Sequence, residues 1–385
     1  MYINRLKLKN WKNFKDIEVN LGNRIFIAGP NASGKSNFLD VFRFLREIAK
    51  ETGGGLQKAV KDRGGLPKIR CLAARQNPDV EIDVEVNDDT TTWRYFLSIK
   101  QEKGGKNPVV VAKEQVWWNG KQIINRPDEH DKKDDKRLTQ TYMEQINANV
   151  EFRGLAQFFE KTLYLHLIPQ LIRHAQDFVG FERSDDPFGK NFLQRISKTP
   201  KKTRDARLRR IEQALKIAVP QFNALKYTTD EDDGKPHLEA SYENWRGKDA
   251  KQREEQFSDG TLRLIALLWS LQEGEALLLL EEPELSLNSA IVEQLPELIF
   301  RIQAKLKRRR QVIMTTHSID LLGTKSISGN EVFLLAPDKE GTVVIPAATK
   351  EDVRIMLESG FSVGEAIKPL IRPKNLNQLV FEFEA

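Results

Sequence analysis

Alternating apolar and polar residues predict β-structure in the first part of the chain. Apolar positions recur through Ile3–Trp11, a second alternating stretch covers Asp16–Asn20, and Arg24–Ala28 runs into a Gly-Pro-Asn turn. This alternation places successive side chains on opposite faces of a strand. From Lys35 to Ile48 the apolar residues follow a helical period instead, so a helix is predicted directly after the turn.

The middle of the chain changes from strand patterns to helical ones. Residues 79–118 alternate and predict an antiparallel meander. The charged run over residues 128–137 has no apolar positions to bury, which predicts an exposed loop. Amphipathic stretches at Phe152–Leu167 and Thr203–Val219 then predict a mainly helical segment.

The last part of the chain alternates helices with short apolar strands. The predicted elements, in order, are short strands over 237–245, a helix at Leu262–Leu271, a fully buried strand at Ala276–Leu280, a helix over 288–305, and strands at Gln311–Thr315 and Glu331–Ala336. Helices alternating with buried strands indicate an α/β protein with a parallel-sheet core. To this core the sequence adds an antiparallel β lobe and a mainly helical insert. The predicted segments are 1–125, 126–236 (the insert) and 237–385.

Composition narrows the functional class only slightly. The chain has 385 residues, and no apolar run approaches the roughly 18 residues of a membrane span, so a membrane-spanning protein is excluded. The N-terminal residues do not follow the pattern of a secretory signal. A single cysteine, Cys71, excludes an internal disulfide and favours a cytoplasmic protein. The net charge of +6 permits nucleic-acid binding without requiring it.

One glycine-rich segment carries a strong nucleotide-binding signal. It lies between a predicted strand and a predicted helix, the context in which the pattern G-x-x-x-x-G-K-[ST] cradles phosphates through backbone N–H groups. The lysine of this pattern reaches the β- and γ-phosphates, and the hydroxyl that follows is a ligand for Mg²⁺. The motif therefore predicts a nucleotide site with Mg²⁺. The segment consists of Gly29, Pro30, Asn31, Ala32, Ser33, Gly34, Lys35 and Ser36, followed by Asn37.

A pair of carboxylates follows the buried strand Ala276–Leu280. Glu281 and Glu282 are delivered to the edge of the sheet where α/β proteins bind ligands. One carboxylate suits a Mg²⁺ shell, and its neighbour suits polarisation of a water molecule for attack on a γ-phosphate. In isolation the same pattern is typical of a solvated turn; the phosphate loop favours the catalytic interpretation.

Two further motifs indicate a nucleotide site only in combination with the phosphate loop and the carboxylate pair. His317 follows the strand Gln311–Thr315 and is a candidate contact of the γ-phosphate, although a lone histidine is more often structural. The segment Ser258-Asp259-Gly260-Thr261 precedes a helix, where serine is also an ordinary N-cap.

The order of these four motifs resembles the ATPase head of ABC-type proteins. The resemblance is nearer to bacterial AAA-ATPases related to RecF and to the heads of structural-maintenance-of-chromosomes (SMC) proteins. The segment Leu8–Phe14 and Asn37 support that branch over transporters. Residues 256–263 and 281–287 are similar to the RloA-like predicted ATPases of defence islands.

The resemblance implies specific roles. Two subunits would dock head to tail, with the phosphate loop of one (Walker A) facing Ser258 and Gly260 of the other. It implies Glu281 as the Walker B acid and Mg²⁺ ligand, Glu282 as catalytic base, and His317 as the switch histidine. It also implies a D-loop over residues 286–288.

This sequence departs from the family pattern at a few positions. Glu281 stands where Asp is more usual, so Mg²⁺ could be held through water, and Asn288 stands where His is common. Gln170 or Gln76 is a candidate for the Q-loop glutamine.

The leading functional hypothesis is a cytoplasmic, dimeric ATP-driven switch or clamp in anti-phage defence or DNA maintenance, with a separately encoded effector such as a nuclease. Alternatives are a DNA-repair clamp without effector and a transporter subunit. The long segment between Ser36 and Ser258 disfavours the transporter. A self-contained Toprim nuclease is also disfavoured, because only 68 residues follow His317 and they contain no Asp-x-Asp.

Duplex DNA is a further candidate partner. One basic cluster lies on a predicted helix of the insert and a second covers residues 305–310. Contacts of such clusters with phosphates would be strongly salt-dependent. Solvated helix faces are the competing interpretation for both. The residues of the first cluster are Lys198, Lys201, Lys202, Arg204, Arg207, Arg209 and Arg210.

Overall fold

The computed structural model of the protein describes residues 1–74, 78–102, 108–175, 186–243, 250–304 and 310–372. The strands are β1 Tyr2–Trp11, β2 Phe14–Asn20, β3 Arg24–Ala28, β4 Val80–Asn87, β5 Thr92–Gln101, β6 Val109–Trp118, β7 Lys121–Arg126, β8 Leu163–Leu165, β9 Phe222–Thr229, β10 Pro236–Tyr242, β11 Ala250–Arg253, β12 Leu278–Glu281, β13 Val312–Thr316, β14 Val332–Asp338 and β15 Gly341–Pro346.

The helices connect these strands and cover the sheets. They are α1 Lys35–Ala49, α2 Leu56–Lys61, α3 Leu66–Ile69, α4 Glu129–Lys133, α5 Arg153–Glu160, α6 Pro169–Arg173, α7 Phe192–Lys198, α8 Lys201–Ala218, α9 Asp259–Leu271, α10 Ser289–Ala304, α11 Glu351–Glu358 and α12 Val363–Ile371. Among the described residues, no helix is both long and apolar enough to cross a membrane.

The central sheet has the strand order β15-β14-β3-β13-β12-β8. All neighbouring strands run parallel except β15, which pairs antiparallel with β14. Alternate residues along β3 lie on opposite faces of the sheet. Ile25 and Ile27 belong to one hydrophobic core, and Phe26 and Ala28 belong to the other. Because both faces are covered, β3, β12 and β13 each contain three or more consecutive buried apolar residues. The predicted parallel core is confirmed.

The antiparallel lobe is a second six-stranded sheet of order β2-β1-β4-β5-β6-β7. It shares the first hydrophobic core with α1, through residues such as Leu6, Val84 and Phe38. A small antiparallel sheet of order β11-β10-β9 packs in the second core with α8 and α9. The predicted α/β architecture with an antiparallel lobe is therefore present.

Two local predictions are wrong in part. The charged run over 128–137 is largely exposed, as predicted, but it is not a loop: it forms α4 and a 3₁₀-helix at Asp135–Thr139, and its Asp131 is fully buried. The helix predicted over Phe152–Leu167 is divided, because α5 ends at Glu160 and β8 follows as the edge strand of the central sheet beside β12.

The topology brings the motifs to one edge of the central sheet. The phosphate loop follows the carboxyl end of β3, Glu281 ends β12, and His317 follows β13. Since β3, β13 and β12 are parallel neighbours, these carboxyl ends lie side by side. A ligand-binding site is therefore expected at this edge of the sheet.

Candidate nucleotide site

The loop between β3 and α1 is tightly packed around its two glycines, so that a side chain at either position would clash with neighbouring atoms. A Cβ at Gly29 would lie 2.7 Å from Ser33 Oγ and 2.8 Å from the Leu335 carbonyl oxygen. Gly34 has φ 98° and Ala32 has φ 61°, both in the left-handed region. Successive turns of this kind expose backbone N–H groups for anion binding. Asn31 and Ala32 are exposed at the tip of the loop.

The turn between β1 and β2 holds the loop from outside. Asn13 donates from Nδ2 to the Ser33 carbonyl at 3.0 Å and to Thr342 Oγ1 at 2.7 Å. Its Oδ1 accepts from Asn37 Nδ2 at 2.8 Å, and Trp11 Nε1 donates to the Asn37 carbonyl at 3.0 Å. Asn37, predicted to belong to the site, therefore braces the loop through this turn.

Lys35 lies within the loop at the start of α1. Its Nζ donates to the carbonyl oxygens of Gly29 at 3.0 Å and of Pro30 at 3.1 Å. Burial lowers the pKa of Lys35, and the carboxylates of Glu281, Glu282 and Glu284 act in the opposite direction. An ammonium group in this position is ready to exchange carbonyl contacts for phosphate oxygens.

Glu281 accepts hydrogen bonds from two hydroxyl groups on different elements. Ser36 Oγ, in the first turn of α1, donates to Oε1, and the Tyr164 hydroxyl of β8 donates to Oε2. The guanidinium of Arg43 lies over the Tyr164 ring, 4.2 Å from the ring centroid. Burial, followed by the charge of Glu281, raises the pKa of Tyr164, so the phenol stays protonated and donates.

Glu282 has a strained backbone and a histidine partner. Its φ is 44°, which costs a non-glycine residue on the order of 1–3 kcal/mol. The conformation is held by its N–H, which donates to the Thr315 carbonyl at 3.1 Å. One carboxylate oxygen lies 3.1 Å from Nδ1 of His317. Strain at this position aims the Glu282 carboxylate along the sheet edge toward β13.

A third carboxylate in this segment is buried behind the edge. Glu284 is 6% exposed and accepts a hydrogen bond from Thr316 Oγ1 at 2.5 Å. Burial raises the pKa of Glu284, and its Oε2 has no hydrogen-bond partner among the described residues. Glu284, Tyr164 and Thr316 were not singled out from the sequence. For Glu284, the signal was the acidic triplet around Pro283.

The segment Ser258–Thr261, which we call the signature segment, contacts residues outside the phosphate loop of its own chain. Ser258 caps α9 and accepts from the Thr261 N–H at 3.2 Å. A Cβ at Gly260 would lie 2.6 Å from the Ser286 carbonyl oxygen, so the segment touches the predicted D-loop. Asn288 accepts from the Ala290 N–H at 3.0 Å, at the start of α10. Ser258 is exposed to solvent.

Of the two candidate Q-loop glutamines, Gln170 lies in the described part of the chain and binds Asp259. Gln170 Nε2 donates to Asp259 Oδ2 at 2.6 Å, and Arg173 donates to the other oxygen at 2.5 Å. Gln170 therefore joins the segment after β8 to the signature segment. Gln76 lies outside the described residues.

The basic clusters are partly engaged in packing. Arg204 stacks 3.8 Å from the Tyr227 ring centroid, Arg207 lies 5.2 Å from that of Trp269, and Arg210 donates to Gln272 Oε1 at 3.3 Å. Arg310 is 3% exposed and donates to the Ser270 carbonyl at 3.1 Å, so it belongs to the core. Residues 305–309 lie outside the described part of the chain.

The arrangement fits a magnesium nucleotide. Mg²⁺ prefers oxygen ligands, and the Ser36 hydroxyl and the Glu281 carboxylate provide them in direct contact with one another. The loop of Gly29–Ser36 leaves room for backbone alone at its two glycines, as an anion cradle requires. These residues would hold the phosphates and the metal.

Comparison with known proteins places the chain in a family. Residues 24–323 match the family model described as "AAA domain, putative AbiEii toxin, Type IV TA system". The fold is similar to a solved SMC head bound to the C-winged helix domain of ScpA, at 16% identity and a TM-score of 0.54, over 90% of this chain and 98% of that chain.

Two further solved structures have TM-scores of 0.49. The SMC head domain from Thermotoga maritima is 12% identical, over 90% of this chain and 99% of that chain. The Smc head domain with an extended coiled coil bound to the C-terminal domain of ScpA, derived from Pyrococcus furiosus, is 15% identical, over 93% and 99% respectively. No curated protein matches the sequence. Because the family model covers most of the 385 residues, the chain belongs to this family of AAA-domain ATPases.

Proposed function

We propose that this protein hydrolyses ATP at the edge formed by β3, β13 and β12, and that it works as a dimeric switch. The observation that carries the proposal is the meeting of Ser36 and Glu281 beside the Glu282–His317 pair. A hydroxyl and a carboxylate suited to a metal, and a second carboxylate suited to a base, therefore converge next to a phosphate-binding loop.

Different residues of the chain would bind the phosphates, accept the proton and hold the metal. The loop N–H groups and Lys35 bind the phosphates and fix their position. Glu282 accepts a proton from the attacking water, and His317, 3.1 Å away, orients that carboxylate. Mg²⁺, when bound to Ser36 and Glu281, supplies neutralisation of the charge on the phosphates. The Tyr164 hydroxyl keeps Glu281 turned toward Ser36.

A head-to-tail dimer is supported by the position of the signature segment. Ser258 is exposed at the N-terminus of α9, where backbone N–H groups favour an anion, yet its contacts are not with the phosphate loop of its own chain. In the proposed dimer, Ser258 and Gly260 complete the site of the other subunit. ATP would then bridge two subunits, and hydrolysis would release them.

A role in bacterial defence is supported by two resemblances. The family description names a toxin of a type IV toxin–antitoxin system, and the segments over 256–263 and 281–287 are similar to RloA-like ATPases. We propose a separately encoded effector, since the solved SMC head binds a domain of another protein. Duplex DNA stays a prediction, and the exposed lysines Lys201 and Lys202 are its strongest support on α8.

The site is tested with two substitutions of different expected effect. Lys35→Ala should weaken binding of labelled ATP by about tenfold or more, because it removes a charged phosphate contact. Glu282→Gln should leave ATP binding intact and slow phosphate release by about 10²–10⁴-fold, because it removes the base. Lys61→Ala and Glu293→Gln, both exposed, are the matched controls. Equal ATP affinity in wild type and folded Lys35→Ala would contradict the proposal.

A further inference from the structure

A cavity of about 790 Å³ lies beside α1. It is formed by the C-terminal half of α1, the glycine turn after that helix and the segment that carries α2 and α3. Among the described residues, its lining includes none of Gly29–Ser36. The cavity is therefore a separate feature from the candidate nucleotide site.

The lining of this cavity is strongly cationic. Seven lining side chains are basic and three are acidic (Asp40, Glu47 and Asp62), which leaves an excess of four positive charges. Within the described part of the chain, Ala59 contributes the only apolar side chain of the lining. Besides Lys12, the basic residues are Arg43, Arg46 and Lys50 from α1 and its C-cap, and Lys58, Arg63 and Lys68 from the α2–α3 segment.

The two carboxylates on α1 are already used to fix the cavity wall. Asp40 lies 2.9 Å from Arg63, 2.6 Å from Lys12 and 3.5 Å from Arg43, and Glu47 also pairs with Arg63. Burial acts to raise the pKa of Asp40, but the three cations outweigh it and hold the pKa at about 2. The Arg63 side chain is only 8% exposed, so its guanidinium is held in place before any ligand arrives.

Donors remain beyond those that the carboxylates engage. Lys50 and Lys68 have no ion-pair partner among the described residues. Arg43 Nε is buried and has no hydrogen-bond partner in the described part of the chain. Buried donors are normally satisfied, so this guanidinium nitrogen is free to donate to an acceptor bound in the cavity.

We propose that this cavity binds a small phosphate-bearing anion of nucleotide size. Its volume falls within the range of small-molecule sites, about 300–1,000 Å³. Arginine and lysine together are the side chains suited to phosphate, and the near absence of apolar lining disfavours an uncharged ligand. A concave cavity encloses such an anion, whereas duplex DNA is met by an extended basic surface.

The wall of the cavity also reaches the nucleotide site. Arg43 contributes to the lining and stacks on Tyr164, whose hydroxyl donates to Glu281. A ligand that draws the Arg43 guanidinium toward the cavity would loosen that stack. The binding proposal itself does not depend on ATP hydrolysis.

The test uses inorganic tripolyphosphate as the probe, titrated by calorimetry at low salt without divalent metal. The full chain carries Lys35→Ala, so that binding at the phosphate loop is suppressed. We expect one tripolyphosphate per chain, and Lys50→Glu with Lys68→Glu should weaken it by about tenfold or more, since two charged contacts are reversed. The matched control is Lys201→Glu with Lys202→Glu, two exposed lysines on α8.

Each outcome decides the proposal. Selective loss in the cavity variant, with thermal unfolding unchanged, supports it. Absence of binding, or equal loss in the control, overturns it. A second arm titrates a labelled 20-base-pair duplex: if the duplex binds more tightly than tripolyphosphate and the cavity variant abolishes that binding, the cavity is part of a nucleic-acid surface and the small-ligand proposal is wrong.

Discussion

The carboxylate of Glu281 shows how one side chain can be set by two neighbours. A glutamate side chain is one methylene longer than that of an aspartate, and the extra bond adds a rotatable angle. Here that freedom is restricted from both sides, by Ser36 of α1 and by Tyr164 of β8. In the proposed site Tyr164 is a positioning residue, since it would act through Glu281.

We predict that Tyr164→Phe impairs metal use rather than nucleotide binding. A hydrogen bond to a charged group contributes about 1.5–3 kcal/mol, so half-maximal ATPase activity should require roughly 10- to 150-fold more Mg²⁺. ATP binding measured in a chelator should be unchanged. Tyr242→Phe is the matched control, because the ring of Tyr242 packs on Phe222 and no hydrogen bond of its hydroxyl is seen among the described residues. An unaltered Mg²⁺ dependence would contradict the positioning role.

The sequence could predict the motif residues but not this partner. Glu281 and Glu282 follow an apolar strand, a pattern that is visible locally. Tyr164 lies in a strand of three residues inside a stretch with helical periodicity. Its role depends on the pairing of β8 with β12, which lie more than a hundred residues apart. Long-range pairing of this kind leaves no periodic signal.

At the scale of elements, the alternating strands and the amphipathic α1 were predicted correctly because burial dictated their pattern. The charged run over 128–137 was predicted wrongly for the opposite reason. Its Asp131 is buried against Arg126, which donates to it through Nε and Nη2, each at 2.9 Å. Arg126 also donates to the buried Glu114 at 2.9 Å. Charge pairing, rather than apolar contact, folds this segment.

We therefore predict that Asp131→Asn destabilises the protein by about 3 kcal/mol, because it leaves a buried guanidinium short of a countercharge. The control Asp135→Asn, at an exposed position in the same run, should have little effect. The free energy of unfolding in urea is the measurement. Similar losses in both variants would contradict a buried ion pair.

The effect of Asp131 should also depend on pH. Arg126 and the Asp128 N–H outweigh the effect of burial and hold the pKa of Asp131 at about 2 in the folded protein. An unfolded aspartate has a pKa near about 3.9. The carboxylate thus contributes fully above pH ~4, and its contribution is lost as the pH falls toward 2. The stability difference between wild type and Asp131→Asn should shrink over that interval.

At the scale of the whole molecule, the proposed site has two parts that make separate contacts within one chain. The phosphate loop, Glu281, Glu282 and His317 gather at one sheet edge. The signature segment instead packs on Ser286, where a Cβ at Gly260 would lie 2.6 Å from the carbonyl oxygen. A head-to-tail pairing of two copies would bring each half to the other, and it would place two equal sites across a twofold axis.

This arrangement predicts complementation between two inactive variants. Lys35→Ala damages the phosphate loop and Ser258→Arg obstructs the signature side, so neither homodimer should hydrolyse ATP. An equal mixture forms heterodimers in which one site has both defects and the other has none. With random pairing and independent sites, roughly a quarter of wild-type activity should return.

The decisive control mixes Lys35→Ala with Glu282→Gln. Both residues belong to the same half of the site, so every site in that mixture keeps one defect and no activity should return. Phosphate release is followed against protein concentration in both mixtures. Recovery in the control, or no recovery with Ser258→Arg although the heterodimer is demonstrated by subunit exchange, would show that each chain completes its own site. Recovery confined to the first mixture would establish that Ser258 serves the ATP held by its partner.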